Sequence, residues 1–562
     1  MIKTYFLYAL LFAIAFPSCK KSSDSMPVPP APIPPAIQIF QLSSYSLNGN
    51  SNYSQNGAAL SPAIRLSFSG KVNTSTVSAG ISLSNANGTQ TALNAKFQNG
   101  DSVVSLTSVA ALQPLTKYTL TLSNSLKSSQ NAPLSSMVTT SFITVMDSTD
   151  KFPVISDNAL LDKVQQTTFK YFWDFGHPVS GMARERNSSG DVVTTGGTGF
   201  GIMSIITAVS RGFISRLEGR DRVLKITNFL TNNCTRYHGA FAHWVNGASG
   251  ATIPFSVNDN GGDLVETSLL LEGLITARQY FSNADVEESD LRTKINAIWS
   301  GVEWNWYRQG NQNVLYWHWS PDKAWIINQQ VSGWNEALIV YALAASSPSP
   351  ANKIAKIVYD NGWARNGNMR NNGIFHAYQL PLGPDLGGPL FFEHYSFLGI
   401  NPNGLADLYA NYQTQTTNHT KINYEYCKAN PKQWYGYSNL CWGITASDIP
   451  GGYNANAPGN NDVGVITPTA AISSMPYTPT ESMQALKFFY YKLGDKMWGE
   501  YGFYDAFKLN EPWFATSTLA IDQGPIILMI ENHRSGLLWN LFTSAPEVKT
   551  GLTSLGFTAP YL

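Results

Sequence analysis

Residues 258–274 read NDNGGDLVETSLLLEGL and place Asp259, Asp263 and Glu266 before or at the start of a leucine-rich run. On a helix reaching back to Asp259, these three acids would share one face. The same residues also read as a cap, with Asp263 at the N-cap and Glu266 as its N3 partner in a capping box. Two further acids open apolar stretches. Glu336 in SGWNEALIVYALAA falls in the first helical turn if Ser332 is the N-cap, and Asp522 lies in LAIDQGPIILMIE, where Pro525 suits a first turn. Each alone could serve as a cap or a helix-dipole partner. Gathered at one mouth they form a carboxylate-lined cleft, and paired carboxylates flanking an acetal oxygen are the machinery of glycoside hydrolysis. A helix N-terminus favours the ionised carboxylate, however, while a general acid needs a raised pKa. Apolar surroundings such as Trp334, or neighbouring acids, must therefore outweigh the dipole at Glu336.

Other candidates are more dispersed. Arg184 and Glu185 in SGMARERN read as a loop ion pair, with Arg184 able to face a substrate. Glu393 and His394 in LFFEHYSFLGINP, and Asp448 in CWGITASDIPGGY, are polar residues in aromatic surroundings that could line the cleft. TTGGTGFGIMSI at 194–205 fits neither the dinucleotide nor the Walker pattern and reads as a tightly packed helix entry. There is no G-x-S-x-G, so a hydrolase elbow has no support. The eight histidines show no ligand spacing, and the acids at 259, 263 and 266 lack the alternating oxygen-rich loop usual for calcium. No metal and no cofactor are expected.

The elements that must position these acids follow from composition and pattern. A chain of 562 residues is too long for one core. Lys plus Arg equals Asp plus Glu at 37 each, which gives no electrostatic footprint for nucleic acid. Aromatics make up 12% against 13% charged, enough flat rings to stack on sugars as well as fill a core. Residues 1–18 read as a lipoprotein signal peptide: Lys3, an apolar stretch from Tyr5 to Phe16 too short to span a bilayer, then Cys19 as the lipidation site. The expectation is an exported lipoprotein of the outer membrane, facing the periplasm or the cell surface, held to the membrane by its lipid alone. Residues 19–36 form a Pro-rich tether. From 37 to 146, short alternating runs separated by Asn-Gly turns predict an all-β sandwich. The pieces SPAIRLSFSGKVNTSTV and LQPLTKYTLTLSNSLKSSQNAPL resemble a bacterial immunoglobulin-like domain. From 155 to 562 the pattern is helical. Segments apolar on all sides, such as GIMSIITAV and PIILMIE, alternate roughly with amphipathic ones, which predicts two concentric helical layers. Of Cys234, Cys427 and Cys441, the last two are the expected disulfide pair.

YFWDFGHPVSGMARERN, TTGGTGFGIMSI, NDNGGDLVETSLLLEGL, GWNEALIVYALAASSP, LFFEHYSFLGINP, CWGITASDIPGGY and LAIDQGPIILMIENHRSGLLWNLF together resemble the bacterial glucoamylase-like domain, and within it glycoside hydrolase family 144. The resemblance covers about 155–545. It implies an (α/α)6 barrel that cleaves β-1,2-glucan with inversion, acting endo on the chain as a monomer. It also implies Glu336 as general acid, Asp522 as general base, and Asp259, Asp263 and Glu266 as acids needed in the cleft. Rival expectations are an exo-acting member releasing sophorose, a non-catalytic surface glycan-binding lipoprotein, and a polysaccharide lyase. The intact acids disfavour the second, and the zero net charge disfavours the third.

Overall fold

The computed structural model describes residues 39–562; the signal peptide and the whole tether, Cys19 included, lie outside the described residues. Nine strands build the N-terminal sandwich: β1 (Leu42–Leu47), β2 (Ser54–Ala58), β3 (Ile64–Phe68), β4 (Ile81–Asn85), β5 (Gln90–Thr91), β6 (Leu93–Gln98), β7 (Val103–Ser108), β8 (Lys117–Leu122) and β9 (Val138–Thr144). They form two sheets, ordered β1-β3-β7-β6 and β2-β9-β8-β4-β5. All pairs are antiparallel except β2–β9. Period-two alternation buries Ile64, Leu66 and Phe68 from β3 and Tyr118, Leu120 and Leu122 from β8 between the sheets.

The helical region starts at α1 (Asp157–Trp173), capped by Ser156, and continues through α2 (Thr195–Arg211), α3 (Arg216–Asn232), α4 (Leu264–Tyr280), α5 (Val286–Ser300) and α6 (Leu338–Ser346). Then come α7 (Tyr412–Ala429), α8 (Pro468–Ile472), α9 (Pro479–Lys487), α10 (Ala520–Ser535), α11 (Leu537–Ser544) and α12 (Pro546–Leu555). The almost wholly buried helices pack side by side in the order α8, α10, α2, α4, α6. Outside them, α9 packs on α8, α1 on α10 and α2, α3 on α2, α5 on α3 and α4, α11 on α4, and α12 on α6. Two layers therefore exist, as the alternation of apolar and amphipathic segments predicts. Across the open side of the inner arc lie 3-10 turns at Leu390–Glu393 and Tyr395–Phe397 rather than a regular helix. They are tied to α6 by Ile339 N donating to Ser396 Oγ at 2.9 Å, and to the segment after α8 by a 3.0 Å contact of His394 Nε2 with Ser474 Oγ.

Glycine sets the closest approach in this core. A Cβ on Gly199 would stand 2.1 Å from the Leu269 carbonyl oxygen, and one on Gly273 would stand 2.2 Å from that of Gly199. Thus α2 and α4 touch backbone to backbone, and TTGGTGFGIMSI is a packing sequence. Several local expectations are corrected. The run PIILMIENHRSGLLWNLF breaks into α10 and α11 at Gly536, which takes a left-handed φ of 67°. ANKIAKIVYDNGW forms short 3-10, α and π turns instead of one helix. Helix α7 had no apolar stripe to announce it. Its buried face is mixed: Gln415, Thr416, His419, Thr420 and Asn423 lie buried beside Tyr412, Ile422, Tyr426 and Cys427. Cys427 and Cys441, the expected disulfide, are buried free thiols packed in the same apolar cluster.

The sandwich is seated on the helical region. Leu115 is buried in a cluster with Leu160, Leu161 and Leu493, and Asn56 Nδ2 donates to Asn510 Oδ1 at 2.9 Å. No helix among the described residues is long and apolar enough to cross a membrane.

Candidate active site

Helix α4 begins at Leu264, so Asp259 is not on it. Asp259 comes from a preceding turn in which its N–H donates to the Ser256 carbonyl. Asp263 is the N-cap: its Oδ1 accepts from the N–H groups of Val265 and Glu266, each at 2.9 Å. Only half of the expected capping box forms. Asp263 N–H donates to the Phe241 carbonyl, while Glu266 Oε2 turns away to accept from Gly196 N–H at 2.7 Å and Thr194 Oγ at 3.1 Å. Gly196 is required here, because a Cβ would stand 2.8 Å from that carboxylate oxygen. The acid of α4 is thus held by the N-terminus of α2, its neighbour in the inner layer.

The outer oxygen of Asp263 accepts from Trp317 Nε1 and from His243 Nδ1, each at 3.0 Å, and His243 Nε2 lies 3.9 Å from Glu266. Burial pulls the His243 pKa down, but the charges of Glu266, Asp263 and Asp259 more than offset it and lift the imidazole to about 9. Burial, reinforced by Asp263, raises Asp259 to about 7, and burial also raises Glu266. His243, Asp259 and Asp263 could each bring a ligand atom within 4.8 Å of the others. A cation there would compete with the proton that the carboxylates hold on His243.

Glu336 lies in the turn just before α6, not within its first helical turn, with Ala337 as N-cap. The dipole and a backbone N–H bond at Glu336 itself both favour its ionised form there. Burial, with added repulsion from Asp263 and Glu266, raises its carboxyl to about 7. Beneath it Trp334 is fixed by an indole N–H donated to Glu393 Oε1 at 3.0 Å. Glu393 also accepts from Gln415 Nε2 and pairs with His419 Nδ1, both at 2.8 Å and both on α7. Glu393 is thus engaged by Trp334, Gln415 and His419, and His394 by Ser474, both as buried as Asp263.

Asp522 sits in the first turn of α10 and is 3% exposed. Its carboxyl feels the charge of Asp505, 2% exposed, which follows the short strand Gly502–Phe503. Asp505 Oδ2 accepts from Asp448 N–H at 2.7 Å. Asp448 lies on a hairpin of Ala446–Ile449 with Gly452–Ala455, opposite Tyr453. Its carboxylate takes Arg186 Nη1 at 3.2 Å and Ser517 Oγ at 2.5 Å. The expected Arg184–Glu185 pair is corrected: Glu185 accepts from Arg186 Nε at 2.9 Å, whereas the Arg184 guanidinium lies over the Phe175 ring at 4.6 Å. Burial, then the charge of Asp505, raises Asp522 well above its ordinary range. Tyr395, 5% exposed, feels the charges of Asp522, Glu336 and Glu266 together. Asp522, Glu336 and the α4 acids therefore converge on one place. The rim carries half-exposed rings: Phe255, stacked on His243 at 4.2 Å, and Tyr453.

Sequence reasoning missed Asp505, His243 and Arg186. Asp505 had one signal, a lone acid in the aromatic loop YGFYDAF; His243 in AFAHWV and Arg186 had none that set them apart from packing residues.

Residues 328–546 match the family model described as "Putative glucoamylase", and residues 42–144 match the bacterial Ig-like domain model. An endo-β-1,2-glucanase from Chitinophaga pinensis, solved with sophorotriose and glucose, is 49% identical with a TM-score of 0.71, over 73% of this chain and 100% of that one. The chain belongs to the glucoamylase-like family resembled above, glycoside hydrolase family 144. A β-1,2-glucanase from Parabacteroides distasonis, 36% identical with a TM-score of 0.69, covers 92% of this chain and 73% of its own. An exo β-1,2-glucooligosaccharide sophorohydrolase acting at the non-reducing end, from the same species, is 44% identical over 422 residues. That match spans 71% of this chain but 58% of the relative.

Proposed function

We propose that this protein hydrolyses β-1,2-glucan with inversion at the anomeric carbon, cutting within the chain, from an (α/α)6 barrel in which the 390–397 turns complete the inner ring. The observation that carries this reading is the convergence of the buried acids Asp522, Glu336 and Glu266 on Tyr395. Glu336, raised to about 7, keeps a proton for the leaving oxygen at neutral pH. Asp522, buried beside Asp505 and raised well above its ordinary range, serves as the base once it has given up its own proton. Asp263 and Glu266, locked by protonated His243, orient sugar hydroxyls, and Phe255 and Tyr453 offer stacking faces. The N-terminal lipid at Cys19 would hold a monomeric enzyme at the outer membrane.

A second reading, release of sophorose from non-reducing ends, is favoured by the description of the sophorohydrolase relative. Product analysis on long β-1,2-glucan separates the two. Endo action gives a ladder of oligosaccharides and a fast fall in viscosity, while exo action gives sophorose alone. Activity on β-1,3- or β-1,4-glucan with none on β-1,2-glucan would sink both.

A further inference from the structure

Helix α6 carries no cap of its own. Ala337 at its N-cap offers no side-chain acceptor, and Ser332, expected as the cap, precedes that position. The cap comes from another segment. Ser396 Oγ, in the Tyr395–Phe397 turn, accepts from Ile339 N–H at 2.9 Å and donates to the Glu336 carbonyl. One hydroxyl thus satisfies a free N–H of the first helical turn and the C=O of the acid's own residue. In an uninterrupted helix that carbonyl would take the N–H of Val340, but Val340 N–H goes to the Ala337 carbonyl at 3.1 Å. The Ser396 hydroxyl therefore replaces the bond that would wind Glu336 into α6.

The neighbouring turn grips the same segment a second time. Just before Glu336, Trp334 Nε1 donates to Glu393 Oε1 at 3.0 Å. Glu393 is itself fixed. Its Oε1 also accepts from Gln415 Nε2 and pairs with His419 Nδ1, both at 2.8 Å, and its backbone carbonyl accepts from the Tyr477 hydroxyl at 2.8 Å. The Gln415 amide cannot turn round, because its Oε1 accepts from Leu382 N–H at 2.9 Å. Ser396 and Glu393 are 1% and 0% exposed. A hydroxyl and a carboxylate buried this fully, and bonded on either side of one acid, form a rigid support for it.

We propose that Ser396 is the positioning residue of the general acid: it caps α6 from outside the helix and so holds the Glu336 carboxyl at the leaving oxygen. This rests on Glu336 being the acid. Ser396 is closed off from substrate and acts through the backbone of Glu336. A displaced acid harms the reaction only as far as the leaving group needs its proton. A sugar alkoxide needs one, whereas 4-nitrophenolate leaves without it.

The full chain tests this on two substrates, β-1,2-glucan and the 4-nitrophenyl glycoside of a β-1,2-glucooligosaccharide. Ser396→Ala removes both bonds. Its kcat on β-1,2-glucan should fall about 10- to 100-fold with KM within about threefold of the parent, as for a reacting group moved by a fraction of an ångström. On the nitrophenyl glycoside its kcat should fall less than about threefold. Ser396→Cys keeps the shape with a weak donor and acceptor, so it should show the same selective loss at smaller size, and it decides if Ser396→Ala does not fold. Equal losses on both substrates, or no loss on either, overturns the proposal. Failure of the underlying reading looks different: the parent leaves β-1,2-glucan uncut, or Glu336→Gln turns it over normally, and either result takes the proposal with it.

Discussion

The sandwich opens a cavity of about 820 Å³ whose walls include Thr74, Val77, Ile81, Leu93, Phe97 and Leu106, and no titratable side chain lines it. The helical region packs its inner helices until α2 and α4 touch at Gly199 and Gly273, yet it buries Asp263, Glu266, Asp505 and Asp522 near one another. Room alone therefore does not distinguish a reactive site. What does is that burying charge costs several kcal/mol unless it is paired, and the helical region pairs it through His243 and Arg186. In the sandwich the buried groups are almost all apolar, and its core answers to volume alone.

The largest effects should come from the two acids. Glu336→Gln and Asp522→Asn keep shape and remove proton transfer, so each should lose at least about 100-fold in kcat with unchanged circular dichroism. The first product anomer should be α, read by an NMR time course; a β anomer appearing first would rule out inversion. A cavity in the sandwich gives the contrasting case. Leu120→Ala should destabilise that domain by about 2–5 kcal/mol in denaturant titration and leave kcat untouched. A parallel loss of kcat would show that the sandwich helps to shape the cleft.

The pH response should differ between the regions as well. Glu336 and Asp259 are raised to about 7 and His243 to about 9, so the folded helical region binds more protons than the unfolded chain from about pH 4.5 upward. The stability these protons bring is greatest at the acid end of that range and is lost as pH rises through 7 and then 9. Calorimetry should show the helical transition falling across this interval while that of the sandwich holds. The rate should also fall on the alkaline side of about pH 7, where Glu336 loses the proton it must donate.

Smaller still is the expected effect of removing the sandwich. A chain starting at residue 150 loses the Leu115 contact and the Asn56–Asn510 bond, and should melt a few degrees lower with most turnover on soluble substrate kept. Chelator treatment should do least of all; a large loss of rate restored by calcium would mean that His243, Asp259 and Asp263 hold a cation after all.

What was legible in the sequence was the part governed by local rules. Period-two alternation announced the strands, apolar runs announced α2, α4 and α10, and an aspartate before a leucine run announced a cap that does form at Asp263. The polar part of the inward face of α7 was invisible, because Gln415 and His419 gain their meaning only from Glu393, which reaches them from another segment. The same holds for the site. Asp259, Asp263 and Glu266 announced themselves by spacing, but the spacing argument was wrong in its geometry: Asp259 arrives from a turn, and Glu266 points to α2 rather than back to its own cap. Residue type and local pattern determined that acids would open apolar helices. Only the tertiary structure decided which of them would keep a proton, since that depends on how near Asp505 comes to Asp522, and His243 to Asp263, from parts of the chain that no local pattern connects.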